Sequence, residues 1–218
     1  MIRLENLSKT FVLDGRRKVV ADGMNATFPT GRAVGLLGRN GAGKSSLLEM
    51  IAGTMEPSAG RVVSDGTISW PVGFSGSFHP DLTGLQNTRF VARVYGVDTG
   101  EMVAFVEDFA GLGQHFNLPL RTYSSGMRSR LAFGVSMAVP FDTYLVDEVT
   151  SVGDAAFRAR SARVFLARMR SASAIVVTHS MEQVRQLCTA GAVLEHGRLV
   201  YYDNLEAAIA HHNRNMAE

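Results

Sequence analysis

Gly38-Arg39-Asn40-Gly41-Ala42-Gly43-Lys44-Ser45 decides the fold. It has the spacing G-x-x-x-x-G-K-[ST], in which glycines let the backbone curl until successive N–H groups point inward at a phosphate. Before it, Ala33 to Leu37 is a short apolar run of the kind that forms a buried strand. After it, Lys44 to Ile51 carries apolar residues at helical spacing. Strand, loop and helix in that order place the anion at a helix N-terminus, where the helix dipole favours negative charge. In such a loop Lys44 neutralises β- and γ-phosphate oxygens and the Ser45 hydroxyl ligates a magnesium ion, so the expected cofactors are ATP and Mg²⁺.

Downstream, Thr143-Tyr144-Leu145-Val146-Asp147-Glu148 is an apolar strand that ends in two carboxylates. Open α/β sheets bind ligands at the carboxyl ends of their strands, which puts these acids beside the phosphate loop. Asp147 is expected to hold Mg²⁺, directly or through water. Glu148, one residue on, is expected to polarise the attacking water as general base. Paired acids at a strand end can also cap a helix. Tyr123-Ser124-Ser125-Gly126-Met127 opens a long helical pattern, with Ser124 as capping side chain and backbone N–H groups as a second anion site. Taken alone it is only a capped helix. Ser151-Val152-Gly153-Asp154 follows the acidic pair, and Val176-Val177-Thr178-His179 ends another core strand, from which the histidine can reach a γ-phosphate.

The remainder organises around these stretches. Ile2 to Leu7 alternates apolar and polar residues, Asp14-Gly15 marks a turn, and Val19 to Phe28 resumes an extended pattern, so an antiparallel edge is expected. Two short strands follow Pro57 and Gly60. From Gly84 to Leu118 the pattern is helical, broken at Gly96, Gly111 and Gly113. From Thr143 strands alternate with helices over 154–170 and from Met181, as in a parallel sheet. A hairpin at His196-Gly197 and a helix over 204–211 close the chain. The expected organisation is one domain: a core lobe over about 1–75 and 137–218, and a helical lobe over about 76–136.

Apolar residues make up 46% of the 218 and charged residues 19%, the balance of a folded globular chain. A formal charge of +2 is too small a field to argue for nucleic acid, and none is expected as a partner. Arg158, Arg160, Arg163, Arg168 and Arg170 lie among Ala162, Phe165, Leu166 and Met169 and read as the solvated face of an amphipathic helix. The single Cys188 excludes an internal disulfide and reads as a buried structural thiol. No run approaches the roughly 18 apolar residues that span a bilayer, and Met1-Ile-Arg-Leu-Glu-Asn lacks the apolar segment of a secretory signal, so any membrane role is expected to come through a partner.

Phosphate loop, hydroxyl-rich turn, acidic pair, Asp154 and His179, in this order, resemble the nucleotide-binding subunit of ATP-binding cassette transporters. The likeness covers nearly the whole chain. It implies an α/β fold of the P-loop NTPase class: a parallel core sheet, an antiparallel β subdomain and a helical subdomain. It implies an ATP site of Phe11, Gly38, Asn40, Gly41, Ala42, Gly43, Lys44, Ser45 and Ser46, with Ser45 and Asp147 on Mg²⁺ and Glu148, His179 and Lys44 in catalysis. Ser124, Ser125 and Gly126 match the signature that closes over ATP held by the opposite copy of a homodimer. Asp154 matches the D-loop. Phe11 stands where the family has an aromatic residue stacked on adenine, although by its sequence alone it reads as core. The chain departs from the family's Leu-Ser-Gly-Gly-Gln at Tyr123, Ser125 and Met127. The glutamine expected before the helical lobe is missing between Trp70 and Thr83, where His79 is the nearest polar candidate and Ser75 or Ser77 the alternatives.

Ile68-Ser-Trp-Pro-Val-Gly-Phe, Phe78-His-Pro-Asp-Leu-Thr-Gly, Tyr123-Ser-Ser-Gly-Met-Arg-Ser-Arg-Leu-Ala-Phe-Gly and Asp147-Glu-Val-Thr-Ser-Val-Gly-Asp are similar to one branch of that family, the ATP-binding subunits of bacterial capsular polysaccharide exporters. That implies a membrane-embedded permease as partner, polysaccharide as the exported polymer, and a place on the cytoplasmic face of the inner membrane, held there through the permease. O-antigen and teichoic acid exporters share the Tyr-Ser-Ser-Gly-Met core, many with a C-terminal carbohydrate-binding domain that is not expected in a chain stopping at Glu218. A cassette ATPase not coupled to transport is the reading from another class.

Overall fold

The computed structural model describes residues 1–13, 15–73, 76, 78–147, 154–178 and 180–217. In chain order the strands and helices are β1 (Ile2–Leu13), β2 (Arg16–Phe28), β3 (Ala33–Leu37), α1 (Lys44–Ile51), β4 (Ala59–Ser64), β5 (Ile68–Pro71), α2 (Gly84–Tyr95), α3 (Thr99–Ala110), α4 (Ser125–Ala138), β6 (Thr143–Asp147), α5 (Ala155–Met169), β7 (Ser173–Val177), α6 (Met181–Leu187), β8 (Ala190–Glu195), β9 (Arg198–Tyr202) and α7 (Leu205–Ala217). They fall into two compact units, one of Met1–Pro71, Phe141–Glu148 and Met169–Glu218, the other of Val72–Pro140 and Val149–Arg168.

The first unit is built on a six-stranded sheet ordered β5-β6-β7-β3-β8-β9, parallel throughout except for β9. β6, β7 and β8 are buried at nearly every residue, which explains their unbroken apolar sequences. β5 is an edge strand, and edges tolerate the irregular pairing between Ile68 and Pro71. The buried Ser69 hydroxyl joins it to β6 by accepting from the Leu145 N–H at 2.9 Å. A second, antiparallel sheet ordered β2-β1-β4 carries Ile2, Leu4, Leu7, Met24 and Phe28 into the same core as Leu36, Leu48 and Ile175. The hairpin is longer than the alternation in Ile2 to Leu7 suggests, because β1 keeps pairing with β2 as far as Leu13↔Arg16.

In the second unit, α2 starts on a reciprocal capping box of Thr83 and Gln86 and ends at Gly96, whose φ of 65° is left-handed; Gly111 ends α3 in the same way. Phe109 is the hub, with ring centroids 5.5 Å from Phe133 and 5.2 Å from Phe157. α5 buries only Phe157 and Phe165. Of the apolar residues expected to cover its inner face, Leu166 is exposed and Phe165 alone is fully buried. Arginine stems do part of that work instead: the Arg160 guanidinium lies 5.4 Å from the centre of the Phe109 ring and pairs with Asp108, and Arg168 Nε donates to the Met137 carbonyl at 2.9 Å. Among the described residues no helix is long and apolar enough to cross a membrane.

Candidate active site

The phosphate loop leaves β3 at Leu37 and enters α1 at Lys44. A Cβ on Gly38 would lie 2.4 Å from the Leu194 carbonyl oxygen, so only glycine lets the chain pass β8 at this point. Gly43 caps α1 at φ 105° and ψ 15°, and a Cβ there would lie 2.9 Å from Val20 Cβ. The N-cap glycine brings no side chain to the first turn of α1, where a helix dipole favours an anion. The Ala42 N–H donates to the Arg39 carbonyl at 3.1 Å and tightens the turn. Lys44 folds back across it, its ammonium donating to the Gly38 carbonyl at 2.7 Å and the Arg39 carbonyl at 3.0 Å. Asn40 and Gly41 are exposed on the loop, and Ser46 is half-buried in the first turn of α1.

Asp147 ends β6 opposite Val177 of β7. Its Oδ2 accepts a hydrogen bond from Ser45 Oγ at 3.0 Å. Octahedral magnesium with bonds of about 2.1 Å spaces adjacent oxygens roughly 3.0 Å apart, so this hydroxyl and carboxylate fit two neighbouring positions of the ion. An ion held by one hydroxyl and one carboxylate keeps its other positions for water and phosphate, the usual habit of magnesium.

A cavity of about 460 Å³ is lined by Gly38, Arg39, Asn40 and Lys44 of the loop, Thr178 after β7, and His212 of α7. α7 runs to Ala217, six residues beyond the helix expected from the sequence. Tertiary bonds extend it: Tyr202 OH meets His211 Nδ1 at 2.9 Å, Arg39 donates to the Asn215 carbonyl at 3.1 Å, and the Asn215 amide donates to Glu195. Burial, and next the charge of Lys44, hold the His212 imidazole below its ordinary value. The weak helix formers in His211-His-Asn-Arg-Asn hid this continuation. Phe11 is not core. It is 37% exposed on β1, with the Lys9 ammonium 5.2 Å from its ring centre, because the extended hairpin carries it past the apolar end of the sheet.

In the other unit Ser124 caps α4, its Oγ accepting from the Met127 N–H at 3.2 Å, and Ser129 Oγ donates to the Ser125 carbonyl at 3.0 Å. Among the described residues, a Cβ added at Gly126 would lie 3.9 Å from Ser124 Oγ, an ordinary contact. Tyr123, at the family's leucine position, is buried and donates its hydroxyl to the His115 carbonyl at 2.6 Å. Asp154 accepts from the Phe157 N–H at 2.8 Å and from Arg130 at 2.8 Å, and these bonds, the amide first, hold its carboxyl below the usual range. Arg130 also lies 4.9 Å from the centre of the Phe157 ring. It links α4 to Asp154, and its position in the second turn after the cap is the signal the sequence carries. Ser124, Gly126 and Arg130 line a cavity of about 320 Å³ with His115.

His79 is exposed at the approach to α2, where its Nδ1 accepts from the Asp81 N–H at 3.2 Å and its backbone is tied to Asn87. Glu148 and His179, and the alternatives Ser75 and Ser77, lie outside the described residues.

Residues 21–151 match the family model described as ABC transporter. The chain is 45% identical to the polysialic acid transport ATP-binding protein KpsT of Escherichia coli over 96% of its own length and 95% of that protein's. It is 39% identical to the capsule polysaccharide export ATP-binding protein CtrD of Neisseria meningitidis, over 98% and 99% of the two chains. The dimeric ATP-binding cassette MJ0796, solved in a post-hydrolysis state with ADP and Pi, shares the fold at a TM-score of 0.76 and 21% identity, over 91% of this chain and 96% of that one. With the loop, the acidic strand end and the capped signature helix in place, this chain belongs to the ABC transporter family.

Proposed function

We propose that this chain is the ATP-hydrolysing subunit of an exporter that moves capsular polysaccharide across the bacterial inner membrane. The observation that carries the chemistry is the 3.0 Å bond between Ser45 and Asp147, which joins the phosphate loop to the acidic strand end. The polymer is assigned from the two capsule-type relatives, KpsT and CtrD, similar over nearly the full chain.

In this reading the backbone N–H groups of the loop turn toward the β-phosphate and the Lys44 ammonium exchanges its loop carbonyls for phosphate oxygens. Phe11, exposed on the hairpin, stacks on the adenine. Ser45 and Asp147 hold Mg²⁺, which when bound offsets the charge of the β- and γ-phosphates. Glu148 orients and deprotonates the attacking water, and His179 donates to the γ-phosphate. Ser124, Ser125 and Gly126 of a second copy close over the nucleotide, so two copies share two sites around a two-fold axis. His79 takes the place of the missing glutamine. The whole chain acts as one cassette, held at the cytoplasmic face by a membrane-embedded permease.

The test is the Glu148→Gln variant with Mg-ATP, followed by phosphate release and by light scattering. Hydrolysis should collapse while an ATP-dependent dimer accumulates; hydrolysis persisting in a monomer overturns the assignment. For the polymer, the wild-type chain should restore surface capsule to Escherichia coli lacking KpsT, and Lys44→Ala should not. Surface capsule restored by both would detach export from this ATP site.

A further inference from the structure

β2 runs beside the phosphate loop, and Val20 on it packs under Gly43. Lys18 lies two residues before Val20 on the same strand, and the pairing with β1 slips between them, Lys9 facing Ala21 and Thr10 facing Val19. Its ammonium nitrogen lies 3.8 Å from where a Cβ on Gly41 would stand. Gly41, at φ 78°, has no side chain to separate that ammonium from the loop backbone. Across the hairpin Lys18 is paired directly with Phe11, and directly opposed residues share a face. Phe11 and Lys18 thus pair aromatic ring with cation beside the loop, Lys18 at Gly41 and Val20 at Gly43. Among the described residues no hydrogen bond or ion pair holds the Lys18 ammonium, whereas nearby Lys9 donates to the Glu56 carbonyl at 2.7 Å and Lys44 to two loop carbonyls.

An exposed cation without a partner, held against a glycine of an anion-cradling loop, is placed to meet the anion. We propose that Lys18 is a second phosphate-binding lysine, supplied by the antiparallel sheet, which favours nucleoside di- and triphosphates over monophosphates. The inference rests on the nucleotide reading of the loop. Lys18 is paired with Phe11 across the hairpin and its ammonium lies against Gly41, so a nucleotide stacked on the ring with its phosphates in the loop brings its phosphate chain to Lys18. Because the ammonium is solvent-exposed, its attraction is screened and its contribution is that of a partly hydrated ion pair, diminished by salt.

Lys18→Met keeps the stem and removes the charge. Calorimetric titration of ATP, ADP and AMP into the full chain, at low and high salt, reads the effect. ATP and ADP should weaken about tenfold at low salt, equivalent to about 1.4 kcal/mol, with AMP unchanged and the difference shrinking at high salt. Lys18→Arg should bind within about threefold of wild type. Unchanged ATP affinity in Lys18→Met overturns the proposal, and so does an equal loss for AMP, which would mean that the stem merely supports the Phe11 ring. Lys44→Ala separates the two levels: wild type binding ATP and Lys44→Ala failing to, with Lys18→Met normal, removes Lys18 alone. A wild-type chain that binds no ATP removes both readings.

Discussion

Gly43→Ala tests the packing of the phosphate loop most directly. An alanine there must keep a φ of 105°, where an L side chain costs about 1–2 kcal/mol. Its Cβ would also meet Val20 Cβ at 2.9 Å, inside the roughly 3.5–4.0 Å optimum for carbon atoms. Overpacking of this kind costs about 1–3 kcal/mol, so the sum is about 2–5 kcal/mol. The nearest atom is the Cβ of Val20 itself, which makes the rescue pattern specific. In a Val20→Ala background the clash persists and the full cost should remain. In Val20→Gly only the backbone strain is left, and Gly43→Ala should then cost about 1–2 kcal/mol. Urea unfolding midpoints at constant slope measure the cycle, and ATP titration should show at least a tenfold loss in the single variant as the loop N–H groups shift. A single variant within about 0.5 kcal/mol of wild type, or an equal cost in all three backgrounds, would refute the reasoning.

Ser124→Ala removes the cap of α4 and should lower stability by about 1 kcal/mol, while ATP-dependent dimerisation seen by light scattering falls much further; a loss in stability alone would leave Ser124 a cap and nothing more. Asp154→Ala removes both the amide cap of α5 and the partner of Arg130 and should lower the urea midpoint, with Arg130→Ala in that background adding little because the pair is exposed. His212 titrates below its ordinary value in the folded chain, so the unfolded chain binds more protons between the two values and stability falls as pH drops below about 6.5. The difference in thermal midpoint between pH 7.5 and 5.5 should therefore shrink in His212→Gln. The Cys188 thiol, pushed up to about 12 by burial, should react with a disulfide reagent only as fast as the protein opens, and rapid labelling of the native chain at pH 8 would contradict its placement.

Features written in adjacent residues were legible. Ala33 to Leu37, the loop and Lys44 to Ile51 follow one another without interruption, and caps such as Ser124, Gly96 and Gly111 act within a few residues of themselves. Features that depend on what lies opposite were not. Phe11 has the composition of a core residue, yet its hairpin carries it into solvent. Leu166 sits at helical spacing with Ala162 and Met169 and is exposed, while the Arg160 and Arg168 stems cover neighbouring surface. The sequence places the end of α7 at His211 because His212, Asn213 and Asn215 are weak helix formers, whereas Asn215 is held by Arg39 and Glu195 from distant elements.

By itself the sequence determined the fold class and the family resemblance, since periodicity, turn chemistry and loop spacing act over short stretches of chain. Only the tertiary structure decided that Ser45 and Asp147, 102 positions apart, share a hydrogen bond. It also decided that Arg130 holds Asp154, that α7 closes one wall beside the loop, and that Lys18 stands against Gly41. These depend on the parallel order β6-β7-β3-β8 and on the register of Phe11 with Lys18, which arise when buried strands and a paired hairpin choose their neighbours in space.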